Sequence, residues 1–192
     1  VDAVMQCWYL GQEGGYAMID ALFGDVNPSG KLTISFPRSA GHIPAYYNYK
    51  PSSRRGYNLN MGITPLHPFG FGLSYTTYQY SNLQIDKAEM GMNDIATVSV
   101  DVENTGSRDG AEIVQLYITD DYATMTRPVK ELKGFKRITL KAGEKQRVSF
   151  KIDREMPSYY DLTHRWQCEP GTFTIAVGTS SIDNTEVSLE LK

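Results

Sequence analysis

From Tyr75 to the C-terminus, apolar and polar residues alternate with a period of two in run after run. Ala96, Val98, Val100 and Val102 alternate with Thr97, Ser99, Asp101 and Glu103. Val114, Leu116 and Ile118 alternate with Gln115 and Tyr117, and Val148, Phe150 and Ile152 with Ser149 and Lys151. Phe173, Ile175 and Val177, then Val187, Leu189 and Leu191, continue the pattern. Successive side chains of a strand point to opposite faces, so each run predicts a strand with one face in a core. Asn104-Thr105-Gly106, Lys141-Ala142-Gly143-Glu144 and Pro170-Gly171 separate the runs. There glycine accepts positive φ and proline presets the turn.

Short strands at this spacing over residues 75–192 are the pattern of a two-sheet sandwich of immunoglobulin or fibronectin type III kind. The Cys and Trp spacing of a true immunoglobulin domain is absent, which favours the fibronectin-like version. Residues 1–74 follow a different pattern and read as the end of an α/β domain with a linker. Val1 to Trp8 is an apolar strand candidate. Gly11 leads into Glu13 to Phe23, where Met18/Leu22 and Ile19/Phe23 pair at i, i+4 as in a helix packed on a sheet, and Gly24 suits its stop. After a turn-rich link, Leu32, Ile34 and Phe36 alternate as a half-buried strand that ends at Pro37. From Arg38 to Gly72 the chain is rich in Pro, Gly, Tyr and Asn without a sustained period, which predicts a long ordered excursion over a surface. The apolar segment beginning at Val1 has no charged stretch before it and reads as a core strand entered midway; the expectation is that upstream sequence supplies its pairing partners.

Composition narrows function mainly by exclusion. The chain has 192 residues, 41% hydrophobic and 21% charged, with a formal net charge of −3 and no Lys/Arg block. That gives no electrostatic reason to expect nucleic acid or an anionic membrane surface as partner. No apolar run approaches the roughly 20 residues that span a bilayer. Cys7 and Cys168 lie at opposite ends of the chain and are read as two buried thiols in preference to a long-range bridge. His42, His67 and His164 are scattered without ligand spacing, so neither a metal nor another cofactor is expected. Gly70-Phe71-Gly72 is flanked by aromatics and lacks a following lysine, so it reads as a linker and not a phosphate loop.

Three stretches go further. Trp8-Tyr9-Leu10-Gly11-Gln12-Glu13-Gly14-Gly15, then residues 22–32 (Leu-Phe-Gly-Asp-Val-Asn-Pro-Ser-Gly-Lys-Leu), then Ser35-Phe36-Pro37-Arg38-Ser39 resemble, in order and spacing, landmarks of the second, α/β-sandwich domain of family 3 glycoside hydrolases of β-glucosidase or β-xylosidase type. Ile43-Pro44-Ala45-Tyr46-Tyr47-Asn48, Pro65 to Thr76 and Glu131-Leu132-Lys133-Gly134-Phe135 extend the likeness into the fibronectin type III-like domain such enzymes often carry. The resemblance implies a mainly β chain: a fibronectin type III-like (immunoglobulin-like) sandwich over 75–192, preceded over 1–74 by a C-terminal fragment of an α/β-sandwich domain. It also implies a parent enzyme that hydrolyses terminal β-linked sugars with retention, using two carboxyl groups about 5 Å apart. By the resemblance, the Asp nucleophile belongs to an upstream barrel and the Glu acid/base lies before the Gly11 to Gly15 motif. No catalytic residue is therefore assigned to this chain. Its expected partners are the upstream domains of the same polypeptide and, through the parent, a glycoside substrate; its expected location is the periplasm or the exterior of the cell.

Four residues are candidates for a place near substrate: Glu13, Arg54, Arg55 and Tyr57. Glu13 is a carboxylate in a Gly-rich turn, but a Glu at a helix start also complements the N-terminal dipole, and that structural reading is preferred. Arg54, Arg55 and Tyr57 could reach sugar hydroxyls from the excursion; the plainer expectation is that they tie the excursion to neighbouring domains. The competing functional class is a stand-alone carbohydrate-binding or adhesion module working through an exposed aromatic strip. The strand and helix of residues 1–36 argue against it, since a free-standing sandwich has no use for them.

Overall fold

The computed structural model describes residues 3–51 and 62–192. Two facing sheets dominate it. Strands β1 (Tyr78–Ile85), β3 (Ala96–Asn104) and β6 (Lys145–Ile152) form an antiparallel sheet in the order β1-β3-β6. Strands β2 (Glu89–Met90), β10 (Asn184–Leu191), β9 (Gly171–Gly178), β4 (Gly110–Asp120) and β5 (Glu131–Leu140) form the other in that order. A small hairpin of β7 (Tyr159–Tyr160) and β8 (Trp166–Gln167) stands apart from both.

Each of the five alternating runs becomes a strand, and their apolar residues meet in one core. Val98, Val100 and Val102 of β3 and Val148, Phe150 and Ile152 of β6 face Val114, Leu116 and Ile118 of β4 across the interior; Phe173, Ile175, Leu189 and Leu191 close it from β9 and β10. Alternation decides the fold here because a slip of one residue would turn every one of these side chains into water.

Strands β1 and β5 are harder to read in the sequence, for two physical reasons. In β1 the register against β3 shifts between Ser81 and Gln84, with Asn82 at φ 52°, so the inward positions change parity partway along. Strand β5 is the edge of its sheet, and the exposed residues of its central part blur the pattern.

The first part of the chain departs further from expectation. The helix forms as α1 (Gly14–Phe23), and it stops at Gly24 in the left-handed region (φ 85°). Its apolar side chains do not pack on a sheet formed by the described residues: Tyr16, Ile19, Leu22 and Phe23 are exposed, Phe23 to 80%. The strand expected from Val1 to Trp8 is absent over the described residues 3–8, where Val4, Met5 and Trp8 stand exposed with no ladder partner. The strand expected at Leu32 to Phe36 is also replaced, by an irregular pairing with residues 66–71. Leu32 N–H donates to Phe71 O and Gly70 N–H to Leu32 O, while Phe36 and His67 form an isolated bridge. Pro65 and Pro68 lack N–H donors, so the facing segment cannot supply a continuous ladder; the Ser35 hydroxyl instead accepts the Phe69 N–H at 3.2 Å.

The excursion covers the outer face of β4. Gln115 and Tyr117, which alternation would place in water, are buried beneath it, with Gln115 only 3% exposed. Tyr47 stacks on Phe69 at 4.1 Å and meets the edge of Tyr117 at 6.1 Å. Gln115 Nε2 donates to Gly70 O at 3.1 Å and to Thr179 O at 2.6 Å, and its Oε1 accepts the Tyr117 hydroxyl at 2.5 Å. Gly70 is thus a packed turn at φ 80° on the sandwich surface, more than a linker.

Candidate functional site

The segment before the sandwich is held by buried polar contacts. Lys31 Nζ lies 3.0 Å from Glu112 Oε1, both largely buried, and the Tyr80 hydroxyl donates to the same carboxylate at 3.1 Å. Burial pushes the Glu112 carboxyl above its ordinary range, and the Lys31 ammonium opposes this. Asn27 supplies a second tie: its Oδ1 accepts from Ser74 Oγ and Tyr75 N–H, both at 2.8 Å, and its Nδ2 donates to Asp109 O at 3.0 Å. The Tyr75 hydroxyl reaches back to donate to Ala21 O at 2.7 Å, at the end of α1. These contacts fix α1, and with it the exposed apolar face, relative to the sandwich.

Between the excursion and the sandwich lies a cleft of about 540 Å³, bordered by His42, Pro44, Tyr46, Tyr47, Tyr49 and Lys130 among others. Its walls are tied down on both sides. The Tyr47 hydroxyl accepts the Leu132 N–H at 3.1 Å, Tyr49 O accepts the Val129 N–H at 2.9 Å, and Ser181 N–H donates to Phe69 O at 3.0 Å. Lys130 donates to Ser181 O at 3.1 Å and sits 3.7 Å from Glu186. Burial lowers the Lys130 ammonium from its ordinary value, and Glu186 works against that shift. His42 Nδ1 accepts the Arg38 N–H at 3.3 Å, and Arg38 in turn donates to Thr64 O at 2.8 Å.

Among the described residues the cleft is lined by aromatic rings with Lys130 as its cation, and no described carboxylate borders it. A second cleft, beside the β7–β8 hairpin, is bordered by a single carboxylate, Glu155. Neither presents, among the described residues, the pair of carboxyl groups that glycoside hydrolysis with retention requires about 5 Å apart. Among the described residues there is no group of three His, Cys, Asp or Glu side chains able to hold a metal ion.

The candidate residues from the sequence are not brought together. Glu13 sits at the N-cap of α1 with φ −85° and ψ 8°; its carbonyl accepts the Ala17 N–H at 3.1 Å, and its exposed carboxylate makes no capping bond. Arg54, Arg55 and Tyr57 lie outside the described residues. The cleft borders the chain on either side of them, at Tyr49 and Ile63. What the sequence did not signal is the Lys31–Glu112 pair and the buried Gln115 network, because each joins residues far apart along the chain.

Comparison with known proteins gives a consistent picture. Residues 1–75 match the glycosyl hydrolase family 3 C-terminal domain, and residues 112–181 match the fibronectin type III-like domain. The chain is 44% identical to a periplasmic beta-glucosidase of Salmonella typhimurium, over 99% of this chain and 26% of that protein. It is 47% identical to a beta-xylosidase of Formosa agariphila, over 100% of this chain and 27% of that protein. Among solved structures, a β-glucosidase from Erythrobacter marinus superposes with a TM-score of 0.89 at 43% identity, covering 93% of this chain and 24% of that one. A β-glucosidase from Listeria innocua solved with glucose gives 0.86 at 36% identity, covering 96% and 27%. The chain therefore spans about a quarter of the length of the relatives it matches.

Proposed function

Because the chain belongs to glycoside hydrolase family 3, of which it is a C-terminal portion, we propose that it serves as the supporting segment of a retaining β-glycosidase. The parent enzyme cleaves terminal β-linked glucose or xylose, and the carboxylates that do so belong to other parts of the polypeptide. The names of the relatives support this substrate class, since both β-glucosidases and β-xylosidases match over nearly the whole chain. A periplasmic or extracellular location is the companion proposal, supported by the relative described as periplasmic. No described helix is long and apolar enough to cross a membrane.

One observation carries the proposal. Val4, Met5, Trp8 and Leu10 with Tyr16, Ile19, Leu22 and Phe23 of α1 expose a set of large apolar side chains that the sandwich does not cover. An uncovered apolar surface marks an interaction site, and here it lies on the residues that match the α/β domain. Upstream domains of the same polypeptide are the partner we assign to it. On this reading residues 1–74 complete another domain's layers and residues 75–192 brace them.

The test compares the 192-residue chain with the full reading frame that contains it. The longer protein should hydrolyse p-nitrophenyl β-glucoside or β-xyloside, and the chain alone should not. Phe23→Ser should leave the chain's own unfolding within about 0.5 kcal/mol, as expected for an exposed position. The same change should lower the thermal stability and activity of the longer protein. Hydrolysis by the purified chain that disappears in Glu13→Gln would overturn the proposal.

A further inference from the structure

The hairpin β7–β8 is small, yet its geometry is well determined by polar contacts. At its tip, Asp161 Oδ1 accepts the N–H groups of Thr163 and Arg165 at 2.8 and 3.0 Å and the Thr163 hydroxyl at 2.8 Å. The Asp161 N–H donates to Arg165 O at 3.0 Å, closing the turn. At its base, buried Tyr159 donates to Glu169 Oε1 at 2.7 Å and carries the Arg127 guanidinium over its ring at 4.4 Å. Gln167 Nε2 donates to the Tyr159 hydroxyl at 3.0 Å. Both ends of this short element are fixed by side chains, so whatever it displays is held in place before any ligand arrives.

What it displays is aromatic. Trp166 is 72% exposed and Tyr160 53%, their rings 5.9 Å apart at 64°, with the His164 ring 5.9 Å from Tyr160. Large apolar rings left in water on a rigid element hold unused binding energy. Trp166 also borders the second cleft, of about 640 Å³, along with Arg154, Glu155, Ser158 and Gln167. That volume falls within the roughly 300–1,000 Å³ of small-molecule sites. Neither the Arg154 guanidinium nor the Glu155 carboxylate has a hydrogen-bond or ion-pair partner among the described residues. The cleft thus offers a flat apolar face, free donors and acceptors, and one charge of each sign.

Those three properties select a ligand chemistry. A nucleotide or other polyanion would meet Glu155 beside the single cation, and a purely apolar ligand would leave Arg154 and Glu155 unsolvated. A neutral pyranose has a C–H face to lay on the indole and a rim of hydroxyls that both donate and accept. We propose that Trp166 and the adjoining cleft form an oligosaccharide-binding site for a neutral glycan, with one sugar stacked on Trp166 and its hydroxyls held by Arg154, Glu155 and Gln167. The site lies beside the β7–β8 hairpin and is distinct from the 540 Å³ cleft beneath the excursion. Its role would be to hold a chain of sugars without cleaving it.

The chain contains two tryptophans, so its indole N–H region in a proton–nitrogen NMR spectrum holds two signals, Trp8 and Trp166. Titration of the 192-residue chain with cellohexaose and with xylohexaose should move the Trp166 signal saturably and leave Trp8 in place. Calorimetry should show at least tenfold weaker binding for Trp166→Ala and for Trp166→Leu, which keeps apolar volume without a stacking face. Trp8→Ala should bind as the unaltered chain does. The choice of β-linked probes rests on the proposed function, whereas the site does not: saturable binding of maltohexaose alone, lost in Trp166→Ala, would uphold the site and count against that substrate class. The proposal is overturned if no neutral hexasaccharide binds saturably at millimolar concentration, if both Trp166 variants bind undiminished, or if trigalacturonate binds more tightly than every neutral oligomer.

Discussion

Gly70 and Gly143 share a backbone conformation, φ 80° and 75°, but not surroundings. At Gly143 an added Cβ meets nothing within 4 Å, whereas at Gly70 it would overlap Gln115 Oε1 and lie 2.9 Å from the Tyr117 hydroxyl. A non-glycine residue in the left-handed region costs about 1–2 kcal/mol, and the loss of unfolded-state freedom returns about 0.4–1 kcal/mol. Gly143→Ala should therefore destabilise by about 1 kcal/mol. Gly70→Ala carries the same two terms and must in addition displace the Gln115 carboxamide, which makes bonds to Gly70 O, Thr179 O and the Tyr117 hydroxyl. Orphaning one or two of those buried groups costs about 1–3 kcal/mol each, so a total of about 3–5 kcal/mol is expected. Urea unfolding of the chain followed by far-UV circular dichroism measures both variants by the linear extrapolation. In a Gln115→Ser, Tyr117→Phe background both groups that crowd the added methyl are gone, and the effect of Gly70→Ala should fall toward that of Gly143→Ala. Equal destabilisation by the two alanines in the unaltered background would refute the reasoning, because it would mean the Gln115 network yields without loss.

The buried Glu112 gives a dependence on pH. Burial raises its carboxyl above the ordinary value of 4.5, so it contributes stability that is fully present below that value and is lost as pH rises through the raised one. Stability of the chain relative to Glu112→Gln should accordingly decline as pH rises above the ordinary carboxyl value in chemical denaturation; a flat or opposite trend would be inconsistent with a raised carboxyl. Lys31→Ala strips that carboxylate of its cation and should cost about 3 kcal/mol, while Lys145→Ala, which breaks the exposed pair with Glu103, should cost under about 1 kcal/mol. Thermal melts of the two lysine variants at neutral pH provide the comparison, and equal shifts would contradict the assignment of Lys31–Glu112 as a buried tie.

The sandwich was legible because its information is local. Val98, Val100 and Val102 announce a half-buried strand by themselves, as do Phe173, Ile175 and Val177, and Gly24 marks the end of α1 with no help from its surroundings. The candidate site was far less so. Glu13 was visible as an acidic residue at a helix start, yet nothing in the sequence shows that its carboxylate makes no capping bond. Trp166 reads as one more aromatic near a strand; only the fold leaves its ring in water beside a cleft.

The period of two determined that residues 75–192 would form paired strands around one core, since alternation leaves no other way to bury those side chains together. Tertiary structure alone decided which of the remaining faces are covered. Gln115 and Tyr117 look solvent-facing in the sequence and are buried because the excursion folds over β4; Leu22 and Phe23 look buried and stand in water because no layer formed by the described residues lies beneath α1. Burial is a property of what arrives from elsewhere in the polypeptide, and that is settled only by contacts between residues distant along the chain.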